Sequence, residues 1–216
     1  VYEVTVKAFH IAEMLANPVI VLMDEFVAHL RERVDLTCQD KFQLAERQRR
    51  CFGEGHRFHV TGLYHDEAGF PVGPGPHVDR LVRRLCAKVE ARRTEITFVE
   101  EWQVHDAQVG VIAYGCSARA AREAVRQARE AGVRAGLLRP VTLWPFPEAA
   151  VREMAQRVRR VVVPELNLGQ VYHEVCRCAG GLTEIVPLNR VDGELFTPAE
   201  ILAELQEVHS YEYVSS

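Results

Sequence analysis

The chain has 216 residues, 48% of them apolar and 26% charged, with a net charge of −4. That balance describes an ordinary globular protein of one or two domains and gives no reason to expect a nucleic-acid partner. No apolar run approaches the ~20 residues that span a bilayer, and nothing at the start reads as a signal peptide, so the expectation is a cytoplasmic protein without a membrane partner.

Val4 to Ala16 carries Val6, Phe9, Ile11, Ala12 and Leu15 at helical spacing, and Asn17-Pro18 ends that helix. Val19 to Met23 follows as an apolar run that predicts a buried strand, after which Asp24-Glu25 begins a short helix to Arg33. One helix, one strand and another helix do not make a sheet, so residues 1–33 are expected to be the tail of a larger α/β domain. From Val34 to Pro76 the periodicity fades while glycine, proline and histidine accumulate. Irregular stretches of this length are uncommon and, when ordered, are often functional. A helix is predicted over Val78 to Arg93, a strand over Thr94 to Glu101, and a domain boundary over Trp102 to Ala107.

From Gln108 the pattern is regular. Apolar runs predict strands at Val109–Tyr114, Val133–Leu138, Arg160–Pro164 and Thr183–Pro187. Helices alternate with them: one from Ser117 as N-cap to Ala131, one from Pro147 to Val158, one from Leu168 to Ala179, and one capped by Thr197-Pro198. Strands and helices alternating through short turns predict a parallel sheet covered on both faces, in a domain of roughly 100 residues.

Several segments carry candidate chemistry. Gly136 to Pro147, GLLRPVTLWPFP, joins a strand to a helix with three prolines and two aromatics, Trp144 and Phe146. A connection needs none of these, so the turn is expected to be rigid and pressed against another part of the chain or a partner subunit. Tyr114-Gly115-Cys116-Ser117 puts a glycine and a serine where α/β folds bind anions, but GxGxxG and a Walker lysine are missing, which favours a tight turn with an N-cap. Glu165, at the carboxyl end of a strand, has two open readings: contact with a ligand or partner at that edge, or, with Asn167, shaping the turn and capping the next helix. The arginine-rich patches Arg47–Arg50 and Arg157–Arg160, broken by acidic neighbours or set on helices, read as solvated faces. Among six cysteines there is one CxC, Cys176 and Cys178, and no CxxC, so disulfides and a metal or iron–sulfur site built from this chain alone are not expected.

The loop GHRFHVTGLYHDE gathers His56, Arg57, His59, Thr61 and His65 beside Asp66 and Glu67. A guanidinium fork and a hydroxyl suit a small carboxylate, and imidazoles move protons near neutral pH. Read without further context, the loop is polar because it is exposed.

Taken in order, NPVIVLMDEFVAHLRE, HVTGLYHDEAGFP, VIAYGCSARAAREAVRQAREAG, GLLRPVTLWPFP, VPELNLGQ and LNRVDGELFTPAEI resemble the alpha subunit of 2-oxoacid:ferredoxin oxidoreductases, above all the 2-oxoglutarate group. The resemblance runs from Val1 to about Leu205. It implies an α/β chain in which residues 1–33 end a thiamine-diphosphate pyrimidine-type domain and 34–107 form a linker region with a loop and helix facing the active site. Residues 108–206 would form a transketolase C-terminal-type open parallel-sheet domain, and 207–216 a tail. It also implies oxidative decarboxylation of a 2-oxo acid to an acyl-CoA, with coenzyme A as co-substrate and ferredoxin as electron acceptor. Thiamine diphosphate, magnesium and the iron–sulfur cluster would be held mainly by a beta subunit, so this chain alone would be inactive. Matched to the family's active-site loop, Thr61 and His65 become substrate-binding candidates, with Arg57 beside them. A non-catalytic assembly module of the same fold, or a subunit acting on pyruvate or a branched-chain 2-oxo acid, is the alternative.

Overall fold

In the computed structural model, residues 1–33, 51–56 and 58–212 are described, the side chains of 208–212 excepted. The chain divides into two compact units: Val1–Leu22 with Glu32–Ile96, and Met23–Arg31 with Thr97–Ser216.

The first unit is helical. α1 (Tyr2–Leu15) stops where Ala16 turns left-handed ahead of Asn17-Pro18. Leu15 on α1 packs with Val89 of a second long helix (Pro76–Glu90) and with Ile96 of a short one (Arg93–Ile96), Ile11 and Met14 filling in around them. Lys88 ties the two long helices together, its ammonium donating to Asn17 Oδ1 at 3.0 Å and to the carbonyl of Ala16 at 3.3 Å. The strand expected at Val19–Met23 is not formed. Residues 18–23 pair with nothing among the described residues, and Ile20, Leu22 and Met23 stand exposed. An apolar run records a wish to be buried, whereas a strand also needs a neighbour's backbone, which no sequence pattern guarantees.

The second unit opens with a short helix, Glu25–His29, and centres on a five-stranded sheet. In chain order the elements of the two units are α1, α2 (Glu25–His29), α3 (Pro76–Glu90), α4 (Arg93–Ile96), β1 (Val99–Trp102), β2 (Val109–Ile112), α5 (Gly115–Glu130), β3 (Ala135–Pro140), α6 (Glu148–Arg157), β4 (Arg160–Glu165), α7 (Gln170–Ala179), β5 (Glu184–Asn189) and α8 (Pro198–Glu212). The strand predicted over Thr94–Glu101 is therefore split, its first residues belonging to α4. The sheet order is β1-β3-β2-β4-β5, with β2 to β5 parallel and β1 antiparallel to β3, Val99 facing Pro140. This is the expected α/β class with a parallel-dominated sheet.

Alternation along the central strands builds two cores. Val109, Val111 and Ala113 point to one face with Val162, where α5 supplies Ala118, Ala121, Ala124, Val125 and Ala128, and α8 supplies Ile201 and Leu205. Ile112, Val161 and Val163 point to the other, against Val151 and Met154 of α6 and Val175 of α7. Alanines on α5 let a helix backbone approach the sheet closely, which is why this helix carries so few large apolar residues and still buries a full stripe. Gly110 and Gly136, opposite one another in β2 and β3, mark two more close approaches. A Cβ on Gly110 would meet Met154 Cε at 2.9 Å, and one on Gly136 would meet the carbonyl of Gln103 at 2.8 Å.

Candidate functional site

Parallel strands end at one edge of a sheet, and in open α/β folds ligands enter the crevice at that edge where the chain reverses its direction of winding. Here the reversal lies between β2, whose crossover leads to β3, and β4, which leads to β5. The crevice is filled by protein. Glu165, 1% exposed at the end of β4, accepts the backbone N–H groups of Val171 at 2.9 Å and Tyr172 at 2.7 Å, capping α7. The Tyr114 hydroxyl, just after β2, donates to the same carboxylate at 2.9 Å, and Asn167 Nδ2 donates to it at 3.1 Å and to Tyr114 Oη at 2.9 Å. Asn167 Oδ1 in turn accepts from Gly169 and Gln170. Burial, and then the Glu165 charge, push the Tyr114 phenol up to about 12, so it is a fixed donor. Of the two readings of Glu165, the geometry selects the turn-shaping cap.

The Tyr114–Ser117 turn is closed in a different way. α5 begins at Gly115, and Ser117 is buried inside its first turn rather than acting as N-cap. The cap comes from a distance: Asp24 Oδ2 accepts the Cys116 N–H at 2.9 Å, while Oδ1 accepts the Val27 N–H at 2.7 Å and caps α2. Gly115 has φ +55, and a Cβ there would stand 2.8 Å from Asp24 Oδ2, so both conformation and space require glycine. α8 starts with a capping box: Glu200 Oε2 accepts the Thr197 N–H at 2.8 Å. At all three helix starts a carboxylate of the chain already occupies the place of an anion. A diphosphate does not fit these positions, and among the described residues no group of three or more His, Cys, Asp or Glu could hold a metal ion. Among the described residues no helix is long and apolar enough to cross a membrane.

In the proline-rich turn the two aromatics part company. Phe146 is buried in the core on the α6 side, with Pro145 and Pro147 buried around it, whereas Trp144 is 72% exposed. Of the two settings expected for the turn, another part of the chain or a partner subunit, the first holds for Phe146 and not for Trp144.

The histidine-bearing loop belongs to the first unit. Asp66 Oδ1 accepts the N–H groups of Ala68 and Phe70, both at 2.9 Å, and Gly69 supplies the positive φ that lets the chain fold back. His65 thereby pairs with Pro71 across a tight hairpin. Its ring stacks on that of His59 with centroids 4.8 Å apart, and His59 Nε2 lies 2.7 Å from Thr61 Oγ1. Leu63 N–H donates to the same oxygen at 3.3 Å. Thr61 and His65 are thus brought together through His59, which the residue pattern counted among the loop's proton-moving imidazoles but not among the substrate-binding candidates. Arg57 lies outside the described residues. Phe52, Phe58, Val60, Leu63 and Tyr64 of the same stretch also stand exposed, more apolar surface than a purely solvated loop needs.

The sheet-bearing region has a counterpart among known families. Residues 107–201 match the family described as pyruvate:ferredoxin oxidoreductase core domain II. That stretch belongs to this domain family, and most of the chain is similar to 2-oxoglutarate synthase subunits. It is 40% identical over 223 aligned residues to 2-oxoglutarate synthase subunit KorA of Methanothermobacter marburgensis, covering 93% of this chain and 59% of that one. The corresponding subunit of Methanocaldococcus jannaschii is 36% identical, over 93% of this chain and 58% of its own length. The chain therefore spans less than two thirds of the relatives it matches. A solved 2-oxoglutarate:ferredoxin oxidoreductase from Magnetococcus marinus, with 2-oxoglutarate, coenzyme A and succinyl-CoA bound, superimposes with a TM-score of 0.62 at 28% identity, over 72% of this chain and 27% of that one.

Proposed function

We propose that the chain is the alpha-type portion of an enzyme that oxidatively decarboxylates 2-oxoglutarate. Carbon dioxide leaves, coenzyme A takes the acyl group as a thioester, and two electrons pass one at a time to ferredoxin. The observation that carries this reading is 40% identity to a 2-oxoglutarate synthase subunit across 93% of the chain. Thiamine diphosphate, magnesium and the iron–sulfur cluster are assigned to a beta subunit, in keeping with helix starts filled by Asp24, Glu165 and Glu200. Thiamine diphosphate supplies the electron sink for decarboxylation when bound; this chain's share is to contact the substrate and to hold the assembly together.

Within that share we assign substrate contact to Thr61 and His65. A hydroxyl and an imidazole linked through the ring of His59 in an exposed loop are suited to a carboxylate that arrives with the rest of the enzyme. The domain of residues 108–206 acts as a scaffold, and the exposed Trp144 is assigned to a subunit contact.

The test is the full-length protein purified with its partner subunit and assayed for coenzyme A-dependent reduction of ferredoxin or a viologen. Turnover with 2-oxoglutarate in preference to pyruvate and to branched-chain 2-oxo acids is expected. A preference for either of the others would overturn the substrate assignment, and assembly without any turnover would favour a non-catalytic module.

A further inference from the structure

A threonine hydroxyl has one proton to give and two lone pairs to fill. In Thr61 the Leu63 N–H enters one lone pair, and His59 Nε2 sits 2.7 Å away. The tautomer of His59 then decides what Thr61 shows to a ligand. With Nε2 bare, the hydroxyl proton turns inward to the imidazole, and the outward face is a lone pair, which repels a carboxylate. With a proton on Nε2, imidazole and Leu63 together fill both lone pairs, and the hydroxyl proton is left to point outward. Only the second arrangement makes Thr61 a donor to an anion. The ring that sets it lies against that of His65 at an interplanar angle of 20°, which favours this ring plane.

We infer that His59 is a positioning residue of the substrate site: as an Nε2–H donor it directs the Thr61 hydroxyl proton toward a carboxylate oxygen of the 2-oxo acid, and His65 holds its ring in place. This rests on the reading of Thr61 as a substrate contact. His59 itself touches no substrate atom. The orientation of one hydrogen bond to a charged group is at stake, the kind of interaction that changes affinity about tenfold or more.

The experiment compares variants of the full-length protein assembled with its partner subunit, with assembly checked by gel filtration. His59→Gln offers an amide donor of similar reach, whereas His59→Glu offers only acceptors and captures the hydroxyl proton. His59→Gln is expected to keep KM for 2-oxoglutarate within about threefold, while His59→Glu and Thr61→Val each raise it about tenfold or more with kcat little changed. In the Thr61→Val background His59→Glu should add nothing, which separates proton orientation from simple repulsion by the new charge. Additive effects in the double variant, or a His59→Gln variant as impaired as His59→Glu, would overturn the role of His59. A silent His59→Glu beside an impaired Thr61→Val would remove His59 alone, and a silent Thr61→Val would remove the substrate contact on which it rests.

Discussion

The Asp24 carboxylate accepts the Cys116 N–H at 2.9 Å although 92 positions separate the two residues. With its other oxygen on Val27 N–H, one side chain caps α2 and α5 together. A cap drawn from the local turn would hold only its own helix. This one fastens the Met23–Arg31 segment to the carboxyl edge of the sheet.

Replacing Asp24 should therefore cost two caps. At ~1 kcal/mol for each, Asp24→Ala is expected to lower unfolding stability by ~2 kcal/mol, and Asp24→Asn, which keeps one acceptor, by about half of that. The Cys116 thiol supplies a second readout, since burial and then the Asp24 charge push its pKa up. Removing that charge should speed alkylation of Cys116 by iodoacetamide near pH 8, followed by peptide mass mapping. An unchanged rate would show that the charge does not reach the sulfur.

Glu165 should be the costliest polar residue to remove from the sheet edge. Glu165→Ala leaves the N–H groups of Val171 and Tyr172 without their acceptor, at ~1–3 kcal/mol for each buried group. A stability loss of ~2–6 kcal/mol is expected by urea denaturation, with Glu165→Gln intermediate because its amide retains one acceptor oxygen. An unmoved midpoint would mean that water replaces the carboxylate.

Phe146 and Trp144 should respond in opposite ways. Phe146→Ala removes a ring from the core and is expected to cost ~3–5 kcal/mol, whereas Trp144→Ala should leave the isolated chain's melting temperature nearly unchanged. Comparable losses in the two variants would contradict the difference in burial.

Acid should act on the start of α8. The Thr197 N–H, the Thr197 hydroxyl and then Arg190 hold the Glu200 carboxyl down at about 2, below its ordinary 4.5. Folding thus favours the ionised form. Its contribution is complete above the ordinary value and is lost as pH falls from about 4.5 toward about 2. Glu200→Gln should flatten that part of the stability profile, measured by thermal melts across the window. A parallel profile in the variant would remove Glu200 from the acid transition.

The sheet's central strands and helices were legible because their signals are local. Val161 to Val163 must be buried on both faces, and Thr197-Pro198-Ala199-Glu200 states its own cap. What escaped was set by distant partners. Ser117 looked like the cap of α5 because the residue that holds that position is Asp24, far upstream. Val19–Met23 has strand composition, but composition does not supply a neighbouring strand. The loop's histidines could be gathered from the sequence, yet only folding shows that His59 stands between Thr61 and His65.

The split fate of the two turn aromatics also makes the protein its own optical reporter. It has two tryptophans; Trp102 is half-buried with the Arg122 guanidinium 5.4 Å from its ring centre, and Trp144 faces solvent. Emission from Trp144 should lie toward the red, and whatever comes to cover the proline-rich turn will move it toward the blue, so assembly at that surface can be followed in unlabelled protein.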